Sequence, residues 1–322
     1  MVKSVPVTLI TGFLGAGKTT LLNRMLRDPR LAHTAVLINE FGEVGLDHLL
    51  VEQLDDATVL LEDGCICCTV REDLRAALLG LLPRVEAGEI RRVVIETTGI
   101  ADPAPILETL IADPELLRAL RLDGVITVVD AVYGELSIGQ HPEARRQIAF
   151  ADVLLLTKTD LIDTAALRAK LGEINQTAPV IAVRDGVVEL SDILDLGAAP
   201  PALPQREHEH HHGEVQSFCL TFDEPLRPEG FGSWIQMLIA TQGEKLLRIK
   251  GILDLAGQDR PVALHAVRHL LHPPALLEGW PDGPRQSRIV FVTDGVSREV
   301  VENGLRAFEK AAAEAVSRRC RN

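Results

Sequence analysis

Between the apolar run Val7–Ile10 and the leucine-rich stretch that opens Thr20-Leu21-Leu22, the chain reads Gly12-Phe13-Leu14-Gly15-Ala16-Gly17-Lys18-Thr19. This fits G-x-x-x-x-G-K-[ST], a loop whose glycines let the backbone curl until successive N–H groups converge on phosphate oxygens. The arrangement works only where a strand feeds the loop and a helix leaves it, because the helix start aims its positive end at the same anion. A chain carrying this loop is committed to strand–loop–helix units, and hence to a largely parallel sheet covered by helices. Gly12 through Thr20 are the candidate nucleotide-binding residues. Lys18 is placed to reach the β- and γ-phosphates, and the Thr19 hydroxyl to ligate Mg²⁺.

The rest of the first two hundred residues agrees with that commitment. Short, nearly all-apolar runs recur at Ala35–Ile38, Thr58–Leu61, Arg92–Glu96, Gly124–Val129, Val153–Thr157 and Pro179–Val183, bounded by Gly, Asp, Asn or Pro. Strands buried on both faces look like this. Amphipathic stretches such as Arg71–Val85 and Ala165–Ile174 separate them. The predicted fold class is α/β: a P-loop NTPase with a doubly wound, mostly parallel sheet, followed by a second, smaller α+β domain. The texture changes at Gly197–Pro204, where Pro and small residues form a linker, and at the His-rich tract Arg206–Gly213. Beyond it the pattern predicts strands at Gln216–Phe222, Lys245–Leu255, Pro261–Leu270 and Arg288–Thr293, with helices at Pro228–Thr241 and Arg298–Val316. The predicted domains are residues 1–197 and 214–322, joined by 198–213.

Composition removes several function classes. Carboxylates outnumber Lys and Arg by 46 to 33, so the surface repels phosphate backbones and anionic lipid, which argues against nucleic acid and membrane as partners. Aromatic residues at 3% also leave little material for base-stacking surfaces. No apolar run reaches the roughly 18–20 residues a bilayer span needs. Met1–Pro6 runs directly into a strand-like segment without a signal peptide's apolar core, and the expected compartment is the cytoplasm. Five cysteines make an odd count for a disulfide scaffold, which points to thiols used for metal or catalysis in a reducing compartment.

Two further motifs belong with the phosphate loop. The buried run ending in Glu96, with Thr97-Thr98-Gly99 after it, supplies the acidic strand end that organises magnesium. Gly99 N–H can sense the γ-phosphate, and Glu96 can hold the metal's water shell or the attacking water. Thr157-Lys158-Thr159-Asp160, after the strand-like run Val153–Thr157, is similar to the guanine-reading N-K-x-D of GTPases. There the aspartate accepts the guanine N1–H and N2–H₂ while the lysine stem lies over the ring. Asp160 and Lys158 match; Thr157 stands where Asn is usual, so one tethering amide is absent and the preference for GTP is weakened.

Gly64-Cys65-Ile66-Cys67-Cys68 puts three thiols into four residues. Together they can offer three thiolates to one tetrahedral ion, and soft sulfur suits zinc or copper(I) better than magnesium or calcium. Core packing of thiols and a redox pair Cys65–Cys68 are the competing uses. Because the cluster follows the run Thr58–Leu61, it is expected near the carboxyl ends of the strands, where ligands of doubly wound sheets bind. Cys219, inside a predicted strand, and Cys320, in the terminal tail, read as structural. Trp234 and Trp280 read as core or interface residues. His265, His269 and His272 fall on a segment that reads as a strand, which argues against a shared metal.

Taken together, the motifs resemble the CobW/zinc-regulated family of GTPase metallochaperones, relatives of the hydrogenase- and urease-maturation GTPases. The resemblance spans nearly the whole chain. It rests on Gly12–Thr20, Asn39-Glu40-Phe41-Gly42-Glu43 with Asp47, Gly64–Cys68, Glu96–Gly99 and Thr157–Asp160. It implies a slow GTPase using GTP and Mg²⁺ that binds Zn²⁺ or Co²⁺ through Cys65, Cys67 and Cys68 and delivers it to a client metalloprotein. It implies that Asn39–Asp47 is a segment rearranging between GTP and GDP states, with Glu40 and Asp47 at the nucleotide site and Glu43 a possible carboxylate ligand. A threonine at Thr157 is a variant associated with the family, and His208–His212 has family precedent as a metal-loading segment. Related GTPases pair across their nucleotide sites, which leaves a homodimer open. The competing readings are an ATP-dependent P-loop kinase, a zinc-storage protein indifferent to nucleotide, and a redox enzyme.

Overall fold

The structure, a computed structural model, describes residues 4–39, 58–61, 69–184, 187–196, 215–280 and 284–319. The chain divides into two compact units, residues 1–171 with 178–198 and residues 172–177 with 199–322.

The first unit is a seven-stranded sheet flanked by helices. In chain order its strands are β1 (Val5–Thr11), β2 (Thr34–Asn39), β3 (Thr58–Leu61), β4 (Arg92–Glu96), β5 (Leu120–Asp130), β6 (Val153–Thr157) and β7 (Val180–Ala182). Its helices are α1 (Lys18–Met25), α2 (Thr69–Glu86), α3 (Ala104–Ala112), α4 (Pro114–Ala119), α5 (Gly134–Gln140), α6 (Pro142–Phe150) and α7 (Ala165–Ile174). The spatial order is β3-β2-β4-β1-β5-β6-β7 and every pairing is parallel. Each of the seven apolar runs is a strand. The central β1 has Val7, Leu9 and Ile10 fully buried, as a strand covered on both faces requires. The chain builds β2, β3 and β4 on one side of β1 and β5 to β7 on the other, so the order reverses at β1. A crevice opens at such a switch point, beyond the carboxyl ends of the strands.

Strand β5 begins four residues before the predicted run because charge disguised it. Asp123, wholly buried, accepts from Arg92 Nη1 at 2.6 Å, from Thr8 Oγ1 at 3.1 Å and from the Asp195 backbone N–H at 3.1 Å. These bonds tie β1, β4 and β5 together three or more residues before their carboxyl ends. Removing one partner of a buried pair strands the other charge. Asp123→Ala should therefore cost about 3–5 kcal/mol in urea unfolding of the first unit, and a loss under about 1 kcal/mol would refute the clamp.

Among its described residues the second unit is an antiparallel sheet with two α-helices. Its elements are β8 (Val215–Phe222), α8 (Pro228–Gln242), β9 (Leu246–Leu253), β10 (Val262–Val267), β11 (Leu270–Leu271), β12 (Ala275–Leu276), β13 (Ser287–Asp294) and α9 (Arg298–Arg319). The order is β11-β10-β9-β13-β8, with β12 on β10. Trp234 of α8 is fully buried in its core, edge-on to Phe291 at 6.1 Å and beside Phe231 at 5.5 Å. Trp280 donates from Nε1 to the Asp259 carbonyl, with the Arg285 guanidinium 5.2 Å above its ring. His265 lies in β10, opposite Lys250. Burial pushes the Cys219 thiol up to about 11, so at neutral pH it is an uncharged, enclosed thiol and a poor ligand. Among the described residues no helix is long and apolar enough to cross a membrane, and no three His, Cys, Asp or Glu side chains gather as a metal site.

Candidate functional site

The phosphate loop leaves β1 at the centre of the sheet. Gly12 has φ +143°, and a Cβ placed on it would overlap the Val128 carbonyl oxygen, so only glycine lets the loop pass β5 this closely. Gly17 (φ +93°) turns the backbone into α1. Lys18 opens that helix and folds back, Nζ donating to the Gly12 carbonyl at 2.9 Å and to the Phe13 carbonyl at 3.4 Å. The ammonium is thus held over the loop's own mouth, where an anion would be cradled.

Glu96 is brought there by strand register. Its neighbour Thr97 donates its backbone N–H to the Ile10 carbonyl at 3.0 Å and its Oγ1 to Thr11 Oγ1 at 2.8 Å, so the ends of β4 and β1 are tied. Thr19 Oγ1 then donates to Glu96 Oε1 at 2.7 Å, although the two residues are 77 positions apart. A hydroxyl oxygen and a nearly buried carboxylate converging beside a phosphate loop are hard donors suited to Mg²⁺. Gly99 closes the other side: a Cβ built on it would lie 2.7 Å from Leu14 Cα. The loop after Glu96 therefore rests directly on the phosphate loop.

The Thr157–Asp160 segment is fastened to the same loop. Thr157 Oγ1 donates to the Ala16 carbonyl at 2.8 Å and Lys158 Nζ to the Gly15 carbonyl at 3.1 Å. The tether thought weakened by the absence of an asparagine amide is made by the threonine hydroxyl. Lys158 adopts φ +56°, an uncommon backbone conformation for a residue with a Cβ, and its Nζ also pairs with Asp130 Oδ2 at 2.6 Å. Asp160 stands exposed, and its carboxylate makes no hydrogen bond among the described residues.

Three participants escaped the sequence reading. Asp130, at the end of β5, fixes Lys158 through Oδ2 and accepts from the Val132 N–H through Oδ1 at 2.8 Å. Its signal was available, since it ends a buried apolar run as Glu96 does. Gln147 of α6 donates to the Gly99 and Ala101 carbonyls, and His141 stacks on Phe13 with ring centroids 4.5 Å apart. No local pattern marks either, because their partners are far away in the chain. Glu40, Glu43, Asp47, Cys65, Cys67 and Cys68 lie outside the described residues. The strands that lead to them are described: Asn39, the last residue of β2, pairs with Leu61, the last of β3. Both strands end on the edge that carries the phosphate loop.

Fold and site together define a P-loop nucleotide-binding protein of the parallel-sheet class. More narrowly, the chain belongs to the CobW/HypB/UreG family. Residues 6–182 match its nucleotide-binding domain, and residues 215–309 match the family described as "Cobalamin synthesis protein cobW C-terminal domain". Zinc chaperone YjiA of Escherichia coli is 34% identical over 316 residues, covering 95% of this chain and 99% of that protein. Zinc-regulated GTPase metalloprotein activator 1 of Schizosaccharomyces pombe is 40% identical over 210 residues, 60% of this chain and 49% of the relative. The crystal structure of Zn(II)-bound YjiA GTPase from E. coli superposes with a TM-score of 0.71 at 31% identity, covering 95% of this chain and 99% of that one.

Proposed function

We propose that this protein is a GTP-hydrolysing metallochaperone that captures Zn²⁺ through Cys65, Cys67 and Cys68 and passes it to a client metalloprotein. The observation that carries the nucleotide half is the pair of bonds from Thr157 and Lys158 to the Ala16 and Gly15 carbonyls. They link base recognition to the phosphate loop, so that Asp160 and Lys18 address opposite ends of one nucleotide. In this reading the loop's N–H groups hold the β-phosphate and Lys18 shifts from the Gly12 carbonyl to the β- and γ-phosphates. Thr19 and Glu96 would hold Mg²⁺, which neutralises charge on the phosphates when bound. Glu96 acts on the metal's water shell or on the attacking water. The water oxygen bonds to the γ-phosphorus as the β–γ bridging P–O bond breaks towards GDP, its proton leaves with the inorganic phosphate, and the Gly99 N–H faces that departing group.

The cargo half is supported by the thiol cluster itself and by the full-length likeness to a zinc chaperone. Strand β3, the described strand that precedes the thiols in sequence, ends on the edge of the phosphate loop, three strands from β1 and roughly 14 Å away at ordinary sheet spacing. Loss of the γ-phosphate is the signal that lowers the grip on the ion. Cobalt is the alternative cargo. Residues 1–197 act as the GTPase domain and 214–322 as the docking domain for the client, with 198–213 as a metal-loading linker. The proposed setting is the cytoplasm, and the homodimer that related GTPases form stays an open alternative to a monomer.

Guanine choice is the cheapest test. Asp160→Ala should weaken GTP roughly a hundredfold, because two hydrogen bonds to a carboxylate are lost, while leaving ATP competition unchanged. If ATP already displaces a labelled GTP analogue from the unaltered protein as well as GTP does, the kinase reading replaces this one.

A further inference from the structure

Beside the residues assigned to nucleotide, α6 presents two successive side chains to the loop that follows Glu96. Gln147, 1% exposed, donates from Nε2 to the Gly99 carbonyl at 3.1 Å and to the Ala101 carbonyl at 3.0 Å. Arg146 Nη1 pairs with Asp102 Oδ2 at 3.2 Å. Gln147 is itself fastened to the sheet, because Thr127 Oγ1 of β5 donates to its backbone carbonyl at 2.7 Å. Immediately before α6, His141 stacks on Phe13 of the phosphate loop. The residue that leads into α6 therefore holds the phosphate loop, and two residues of the helix hold the Glu96–Asp102 loop.

The chemistry of position 147 is narrow. Two backbone carbonyls, that of Gly99 buried and that of Ala101 part-buried, face one side chain, and an NH₂ group with two hydrogens is what satisfies both. A carboxylate would set oxygen against oxygen, and a hydrocarbon would leave the buried Gly99 carbonyl and the part-buried Ala101 carbonyl without this donor. Gln147 Oε1 has no hydrogen-bond partner among the described residues, so it is the donors that fix the amide's orientation. A planar peptide turned by its carbonyl has its N–H turned as well. Gln147 thereby sets the Gly99–Ile100 and Ala101–Asp102 peptides, whose N–H groups are those of Ile100 and Asp102. The Gly99 N–H, in the preceding peptide, is held through the shared Gly99 Cα, which Leu14 blocks from the other side.

We propose that Gln147, through its two hydrogen bonds to the Gly99 and Ala101 carbonyls, is a positioning residue for GTP hydrolysis. It holds the loop after Glu96 in the register that faces the γ-phosphate, and Arg146 supports it through Asp102. The inference rests on the reading of that loop as the γ-phosphate segment. GDP lacks that phosphate, so the bonds matter to turnover and little to GDP affinity.

The test is steady-state GTP hydrolysis and GDP binding on the full chain carrying Gln147→Met, which keeps side-chain length and removes both donors. The expected result is a kcat lowered about tenfold, with KM and GDP affinity within about twofold of the unaltered protein. Arg146→Ala, at an ion pair whose two side chains are partly exposed, should lower kcat in the same direction by about two- to threefold. An unchanged kcat in folded Gln147→Met would overturn the proposal. So would a loss shared equally by kcat, KM and GDP affinity with a lowered melting temperature, which marks support of the fold alone. If Gln147→Met does not fold, an unchanged kcat in Arg146→Ala overturns it. Gly99→Ala separates the two layers: normal turnover there would remove the reading of the loop, and the inference with it, whereas impaired turnover beside a normal Gln147→Met removes only the inference.

Discussion

Gly12→Ala should abolish nucleotide binding at micromolar protein, lowering GTP affinity at least about a hundredfold. The added methyl has nowhere to go. Its position is taken by the Val128 carbonyl oxygen, backbone of a central strand that is hydrogen-bonded on both sides. The φ of +143° is also one that alanine avoids. The loop must move away from β5, and the Gly12 carbonyl that holds Lys18 moves with it. Equilibrium binding of a fluorescent GTP analogue reads the effect. Circular dichroism should show the sheet retained, because the displacement begins after β1 has ended at Thr11. Affinity within tenfold of the unaltered protein would mean that the loop is not the phosphate cradle.

Cys67→Ala is the second large effect, expected to lower zinc affinity by roughly two orders of magnitude or more while GTP binding changes little. Removing the central thiolate of three leaves two sulfur donors, and neighbouring water replaces sulfur poorly for a borderline-soft ion. Competition against a chromophoric chelator measures this. Cys219 does not confuse the readout, since its buried thiol stays protonated well above neutral pH. Binding should also release protons in proportion to the thiolates formed. Unaltered zinc stoichiometry and affinity in the variant would dismiss the cluster as the site.

Much of the architecture was legible because buried parallel strands write themselves as uninterrupted apolar runs. All seven strands of the first sheet stood out in this way, down to the three residues of β7. What was hidden was hidden by charge or by distance. The first residues of β5 escaped because Asp123 is charged on paper and neutralised by Arg92 in space. The phosphate loop, Glu96 and Thr157–Asp160 were visible because each is local and follows a strand. Their mutual bonds were not visible, since Thr19 and Glu96, or Lys158 and Gly15, meet only through the strand order. Thr157 shows the limit of reading a motif by residue type. The missing amide suggested a weaker tether, yet a shorter hydroxyl reaches the Ala16 carbonyl at 2.8 Å. Gln147 had no signature at all, because a lone glutamine on a short helix acquires its role from carbonyls 46 and 48 residues away.

The proposed coupling makes one demand that neither a storage protein nor a simple GTPase makes: the two ligands must change each other's affinity by the same factor. Calorimetric titration of zinc into the full chain, loaded in turn with a non-hydrolysable GTP analogue and with GDP, measures that factor directly. The account predicts tighter zinc binding in the triphosphate form by at least about tenfold. Equal zinc affinity in the two forms would contradict it.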